Sequence, residues 1–531
     1  MKFILCSISI LCCTLSFSQA PSVAWQKLIG GVNYESGNYN FLLDNDSLYL
    51  TSSSQSGISG DKTQICRGGD DYWLVKTDMD GNVVWDKTMG AGPVVFLGPL
   101  SDEITSIKKT SDGSLLVAGF SESSISGEKT EVSRGDFDYW LLKLSATGTI
   151  LWDKTLGGDD FDKPIDFFET ADGNYIVAGT SLSSATGDKT EVSRGGSDLW
   201  IIKMTPAGTV LWQKVIGGSG YDSLSSIIPT PDNGFIISSS SNSSISGDKT
   251  ENSYGSYDIW VIKLDADFNI QWQKTIGGSL SDYPANISQT QDGGYIIGGN
   301  SESGISGLKT ESNRGQSDYW VLKLDSAGAI EWQKTIGGSS NDNLSSVYQC
   351  LDGSYIIVGG TSSNISGDKT EDMKGVYDGW IVKLDAAGVL KWQKDIGGDA
   401  SDNLWWITQL PDASFLLGGY SASSNSFDVT ATNHGNWDIW LLKLNAEDLS
   451  TNQFDTANVA FYPNPVKDVL NVSLKGNTVV KSLYIYNVLG QLLQTCTNPS
   501  ETIDVSGLKA GSYLVKIVSD KGTASSKFIK E

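Results

Sequence analysis

The residues of this chain with the plainest capacity for chemistry are carboxylates that return at fixed intervals. One set follows G-G-x-x-x-D and its near relatives, at Glu35, Asp102, Asp162, Asp222, Asp282, Asp342 and Asp402; a second lies in loops of the type S-I-S-G-D-K-T-E, at Asp188, Glu191, Asp248, Glu251, Asp368 and Glu371. Hard oxygen donors grouped in this way suit calcium, which takes six to eight oxygen ligands. Asp162, Asp188, Glu191, Asp222, Asp248 and Glu251 are the calcium candidates, although no loop has the twelve-residue EF-hand pattern. A carboxylate pair about 5–9 Å apart would instead serve glycoside hydrolysis. The structural alternative is loop capping, with the loop's own Lys189 or Lys249 as ion-pair partner.

Other catalytic arrangements are hard to assemble. The chain has one histidine, His434, outside any Ser/His/Asp or zinc-ligand spacing. His434 lies in the same stretch as Trp405, Trp406 and Trp437, the tryptophans that break an otherwise regular pattern. Trp405 and Trp406 replace the Ser-Ser of positions 225–226 and 345–346. At the mouth of a central channel such rings would stack on a sugar or anchor a protein loop, so Trp405, Trp406 and His434 are the ligand-binding candidates. The alternative is that the tryptophans pack a seam. The apolar insertion around Pro93 to Leu100 is a second candidate contact.

These groups must be positioned by a repeat. Seven tryptophans stand in W-[QD]-K, from Trp25 to Trp392, and seven in D-x-W, from Trp73 to Trp440; both series advance by 60 residues per step except for one step of 67. Each unit holds four short β-branched or aromatic runs, a to d, punctuated by Gly, Asp and Asn. A D-G-G turn joins a to b, and L-D-x-x-G joins c to d. Seven such units predict an all-β, seven-bladed β-propeller over residues 19–444. The chain opens on an isolated d run and the last repeat ends on c, so the N-terminal strand is expected to complete the last blade and remove an open edge. The recurring tryptophans are expected to be interblade packing, and the aspartates that open each c run (Asp71 to Asp438) to accept loop N–H groups. Strand direction puts the b–c and d–a loops, and hence the acidic sets, on one face.

Residues 1–18 read as a cleaved secretory signal, with one lysine, an apolar stretch and small residues at Ser16 and Ser18. Beyond it no apolar run approaches the roughly 20 residues of a membrane span. Cys66, Cys350 and Cys496 share no spacing that suggests a disulfide framework or a zinc site. The chain carries a net charge of −24, which argues against nucleic acid or anionic lipid as partner. No cofactor beyond possible calcium is indicated.

A polar linker, residues 445–457, separates the repeats from a segment of opposite charge: residues 458–531 hold 8 Lys against 5 Asp and Glu. This segment contains F-Y-P-N-P (461–465), D-V-L-N-V-S (468–473), L-Y-I-Y-N-V-L-G-Q (483–491), I-D-V-S-G-L-K-A-G-S-Y-L-V-K-I (503–517) and K-F-I-K (527–530). Its alternating short runs predict a small β-sandwich. These motifs closely resemble the C-terminal sorting domain of type IX secretion cargo from Bacteroidota. The resemblance implies export across the outer membrane, with the type IX machinery as partner and Pro463, Asn464, Pro465, Gly490, Gly511, Tyr513, Lys527 and Lys530 as the motif positions. The expected function is that of a secreted or surface binding module for a glycan or a protein. The runner-up is a polysaccharide hydrolase using carboxylates on the long-loop face.

Overall fold

The computed structural model describes residues 20–92, 100–447, 459–474, 480–487, 492–497, 502–519 and 522–531. Residues 1–18, expected to be a secretory signal, most of the linker, the 93–99 part of the insertion and Gly490 therefore lie outside the described residues. The chain divides into two compact units, Met1–Ala446 and Glu447–Glu531.

In the first unit, the described residues form seven four-stranded antiparallel sheets. Blade 5 is representative, with a at Asp282–Gln289, b at Tyr295–Ser301, c at Asp318–Leu324 and d at Ile330–Ile336. The b and c strands are buried on both faces, which is why they read as apolar or small-residue runs and not as strict alternation. The a strands touch one another from blade to blade, and the a strand of blade 1, Glu35–Asp44, meets that of the last blade, Asp402–Gln409. The sheets therefore close into a ring, a β-propeller with the a strands innermost.

The ring is sealed as the phase of the repeat demands. The N-terminal strand Val23–Ile29 pairs with the last c strand, Asp438–Leu444, as the outermost strand of blade 7. Asn445 holds the junction, its N–H donating to Ser22 O at 2.9 Å and its Nδ2 to Ser22 Oγ at 2.9 Å.

The two tryptophan series have different jobs. The c-strand indoles, Trp73 through Trp440, are fully buried between blades. Their Nε1–H groups donate to the [QD] of W-[QD]-K: Trp260 to Gln273 at 3.0 Å, Trp320 to Gln333 at 3.1 Å, Trp440 to Gln26 at 3.1 Å, and Trp73 to Asp86 at 3.0 Å. The d-strand indoles lie further out, and several cover the glycine of the next blade's c–d turn, as Trp272 covers Gly328 and Trp332 covers Gly388. In blade 4 Phe268 takes that glycine's place at φ +62°, and burial against Trp212 and Phe235 (centroids 4.9 and 4.6 Å) offsets the backbone cost.

The second unit is a sandwich of a three-stranded sheet (Val459–Tyr462, Val469–Leu474, Thr502–Asp504) and a four-stranded one (Leu492–Thr497, Val480–Asn487, Gly511–Ser519, Gly522–Lys530). Leu470, Leu483, Ile485, Val515, Ile517 and Phe528 are in its core.

The G-G pairs at the ends of the d strands are a packing requirement. A Cβ on Gly337 would fall 2.2 Å from Asp318 Oδ1, whereas one on Gly304 would meet nothing within 4 Å. Gly337→Ala is expected to cost about 1–3 kcal/mol, and Gly304→Ala to stay within about 0.5 kcal/mol. Urea unfolding of the two variants checks the contrast.

Candidate functional site

The long-loop face is built from the b–c and d–a connections, and its carboxylates fall into three classes. The first opens each c strand and caps the loop before it. Asp138 Oδ2 accepts the Arg134 N–H at 2.5 Å, Asp198 that of Arg194 at 2.6 Å, and Asp438 that of His434 at 2.8 Å. The second opens each a strand and caps the G-G turn: Asp162 accepts Gly158 N–H at 2.8 Å and Ser183 Oγ–H at 2.8 Å, and Asp222 accepts Gly218 N–H at 2.6 Å and Ser243 Oγ–H at 2.9 Å. Both classes are buried.

The third class bridges blades. Arg67 pairs with Glu128 (2.6 Å), Arg134 with Asp188 (2.6 Å), Arg194 with Asp248 (2.9 Å), Arg314 with Asp368 (2.5 Å) and Lys374 with Asp428 (3.0 Å), each cation reaching into the next blade. His434 holds the same position at the seam, with Nδ1 2.9 Å from Asp438 and 3.8 Å from Asp61 of blade 1. Between blades 4 and 5 the cation is replaced by Tyr254 and its acid by Leu308.

The six calcium candidates are therefore not gathered. Asp162 and Asp222 are caps, Asp188 and Asp248 are ion-pair partners, Glu251 accepts Thr275 N–H at 2.6 Å, and Glu191 is exposed. Among the described residues no three His, Cys, Asp or Glu side chains are placed to share a metal ion. His434, expected at a ligand site, is a member of the interblade series.

Trp406 takes the packing alternative. It is 6% exposed and stacks on Phe41 of blade 1, with centroids 3.8 Å and planes 19° apart. Its cluster, with Leu48, Leu50, Trp73, Ile439 and Leu441, is the seam core. Trp405 is at a bulge in the same strand and half-buried against that cluster.

Other aromatic rings stand where the innermost strands begin on this face. Residues flanking the innermost strands on this face include Tyr34, Tyr221 and Tyr283, which are 41%, 50% and 39% exposed. Tyr34 meets Trp437 edge-on at 5.3 Å across the seam, Trp437 stacks on Tyr420 at 4.8 Å, and Tyr257 lies 5.4 Å from Tyr283. Trp437, Phe137, Tyr257 and Tyr377 occupy equivalent positions, a recurrence the sequence carries in plain view.

Under this face each of blades 1 to 6 buries two carboxylates around one lysine. In blade 2 Lys129 lies within the fields of Asp102 and Asp138; burial pushes both carboxyls up to about 6, with neighbouring carboxylates adding to the rise. Asp318 is likewise raised to about 6 by burial and by Asp342, and Asp378 to about 7 by burial and by Asp395. Val429 stands where the last blade would carry its lysine.

In the sandwich, Asn464 joins F-Y-P-N-P to the terminal strand: its Oδ1 accepts Ile529 N–H at 2.8 Å and its Nδ2 donates to Lys527 O at 3.3 Å. Tyr513 Oη donates to Lys509 O at 2.7 Å. Lys530 is buried, Lys527 exposed, and Pro463, Pro465 and Gly511 stand at strand boundaries.

Residues 460–531 match the family model described as the secretion system C-terminal sorting domain. A curated relative, the regulatory protein FlaEY of Caulobacter vibrioides, is 23% identical over 177 residues, covering 32% of this chain and 19% of that protein. The chain thus spans about a fifth of that relative's length. Among solved structures, the Pan2 WD40 domain of Neurospora crassa is similar with TM-score 0.40 at 11% identity, covering 78% of this chain and 95% of that one. PorZ, a surface component of the type IX secretion system of Porphyromonas gingivalis, is similar with TM-score 0.29 at 11% identity, covering 93% and 69%.

Two measurements test the assignments. Trp406→Ser is expected to cost about 3–5 kcal/mol, as large-to-small core changes do, and calorimetry reads this directly. The raised carboxyls give a pH dependence of defined sign. A carboxyl whose folded pKa exceeds its unfolded value contributes stability fully below about pH 4, and that contribution is lost as pH rises through about 6–7. The propeller is therefore expected to melt at a higher temperature at pH 5 than at pH 7.5.

Proposed function

We propose, from the premise that residues 460–531 are a type IX sorting domain and the protein is exported to the cell surface or extracellular space, that the propeller is a binding module for a neutral glycan at its channel mouth. The observation that carries this reading is the aromatic group Tyr34, Trp437 and Tyr420, two of whose rings come from blade 7 and one from blade 1. Aromatic faces interleaved with amides suit the apolar faces and hydroxyl edges of sugar rings, and Asn403 is paired with Tyr420 across the strands.

Charge narrows the ligand. A chain with net charge −24, whose long-loop arginines already have carboxylate partners, repels uronates and phosphorylated sugars. Burial of the recurring carboxylates favours binding over hydrolysis, since a glycosidase needs its acid pair on the substrate. Among the described residues no helix is long and apolar enough to cross a membrane. Residues 1–18 fit this reading as the export signal.

Trp437→Ala and Tyr34→Ala are expected to weaken binding to insoluble neutral polysaccharides and their oligosaccharides at least tenfold, about 1.4 kcal/mol, without loss of fold. Depletion assays and calorimetric titration measure it. Unchanged affinity in both variants, or preference for an anionic polysaccharide, would defeat the reading.

A further inference from the structure

A second surface on the long-loop face has no structural explanation. The b–c loop tips present Ile58, Ile125, Ile245, Ile305 and Ile365, one to a blade, at 69%, 61%, 60%, 68% and 59% exposure. Side chains so exposed add little to stability, yet the position is isoleucine in five of the seven blades. In blade 7 the equivalent position is Asn425, and the apolar group moves two residues on, to Phe427.

Phe427 is in a backbone slot that rejects it. Its six counterparts, from Gly60 to Gly367, are glycines with φ between +54° and +58°, and Phe427 has φ +46°. At Gly367 a Cβ would fall 2.3 Å from Gly337 O. The Ser426–Val429 bridge still matches Ser366–Lys369, while Asn425 beside it turns to φ +48° and donates its N–H to Ala431 O at 3.1 Å. Phe268, the other phenylalanine in a glycine slot, is 2% exposed and repays its backbone by packing; Phe427 is 67% exposed and packs nothing comparable. Strain held for an exposed ring points to a contact outside the chain.

The charges beside these tips indicate what makes that contact. The surface arginines of the face, with Lys374, are consumed in interblade ion pairs. Asp159, Asp160, Glu191, Glu302 and Asp399 have no ion-pair partner among the described residues, and Asp399 is in the Phe427 loop's own contact, accepting Ser426 Oγ–H at 2.7 Å. Anionic lipid and a second copy of this face are both repelled by such a surface, and aliphatic tips offer a sugar neither a ring to stack on nor a hydrogen bond. We propose that Phe427, flanked by Ile365 of blade 6 and Ile58 of blade 1, docks a cationic protein segment with an apolar face. The surface is separate from the aromatic channel mouth, and its failure would leave the glycan reading intact.

The full chain can be titrated with three synthetic 18-residue helical peptides: Lys/Leu amphipathic, Glu/Leu amphipathic, and Lys/Ser. Only the Lys/Leu peptide is expected to bind with a defined stoichiometry. A Phe427→Gly, Ile58→Asn, Ile365→Asn variant is expected to bind it at least tenfold more weakly while melting no lower than the parent. A Val84→Asn, Val389→Asn variant, which removes comparably exposed side chains from the d strand of blade 1 and the c–d turn of blade 6, is expected to bind as the parent does. Equal binding by the triple variant would reduce the effect to charge attraction and overturn the proposal. So would self-association lost on the triple substitution, or retention on phosphatidylglycerol vesicles.

Discussion

The fold rests on one hydrogen bond repeated around a ring. A buried indole needs a partner for its N–H, because an unpaired polar group in a core costs about 1–3 kcal/mol. The Gln or Asp of W-[QD]-K supplies it from the neighbouring d strand. The same side chain holds the long loop: Gln273 Oε1 accepts Thr250 N–H at 3.1 Å and its Nε2 donates to Asp248 O at 2.7 Å. Core packing, strand pairing and the placement of D-K-T are thus one device. This is why W-[QD]-K and D-x-W travel together, and why a loop of some sixteen residues, such as 242–257, keeps one form from blade to blade.

The ring's weak point is also its most informative one. Six interfaces are made by consecutive blades, and the seventh must join the two ends of the chain. There the regular parts are exchanged: histidine for arginine, valine for the buried lysine, and a Trp406–Phe41 stack where other blades use polar bridges such as Asn286 to Val347, made at 3.0 and 2.9 Å. Large apolar contact area, added to the pairing of Val23–Ile29, replaces electrostatics that the seam lacks.

Much of the architecture was legible in the sequence because burial has a period. A 60-residue step, four short runs and a phase that begins on d and stops on c leave few alternatives to a closed ring. The aspartates opening the c strands behave as their position before a strand implied. The relation between Trp260 and Gln273 was not legible, since thirteen residues become neighbours only once the register is known. Nor was the interblade series, although the paired exchange of Arg for Tyr254 and of its acid for Leu308 leaves a trace. The calcium candidates drew on residue type and loop position, and the ligand candidates on a break in the repeat, neither of which shows the partner across the blade interface. Asp188 and Asp248 look like free donors until Arg134 and Arg194 arrive from the preceding blade.

Departures from a repeat therefore carry different meanings according to what surrounds them. Trp405 and Trp406 are conspicuous as a doublet, yet at least Trp406 answers a local vacancy in the seam. Tyr254 and Leu308 are conspicuous as a lost ion pair, yet they compensate each other. Phe268 breaks a glycine rule and is stabilised by the rings around it. Phe427, by contrast, breaks the glycine rule of its loop with its ring 67% exposed, and Tyr34 is 41% exposed beside Trp437. Where Trp406 and Phe268 are matched by neighbouring rings, an aromatic left largely exposed marks the surface where the chain's own packing ends and recognition begins.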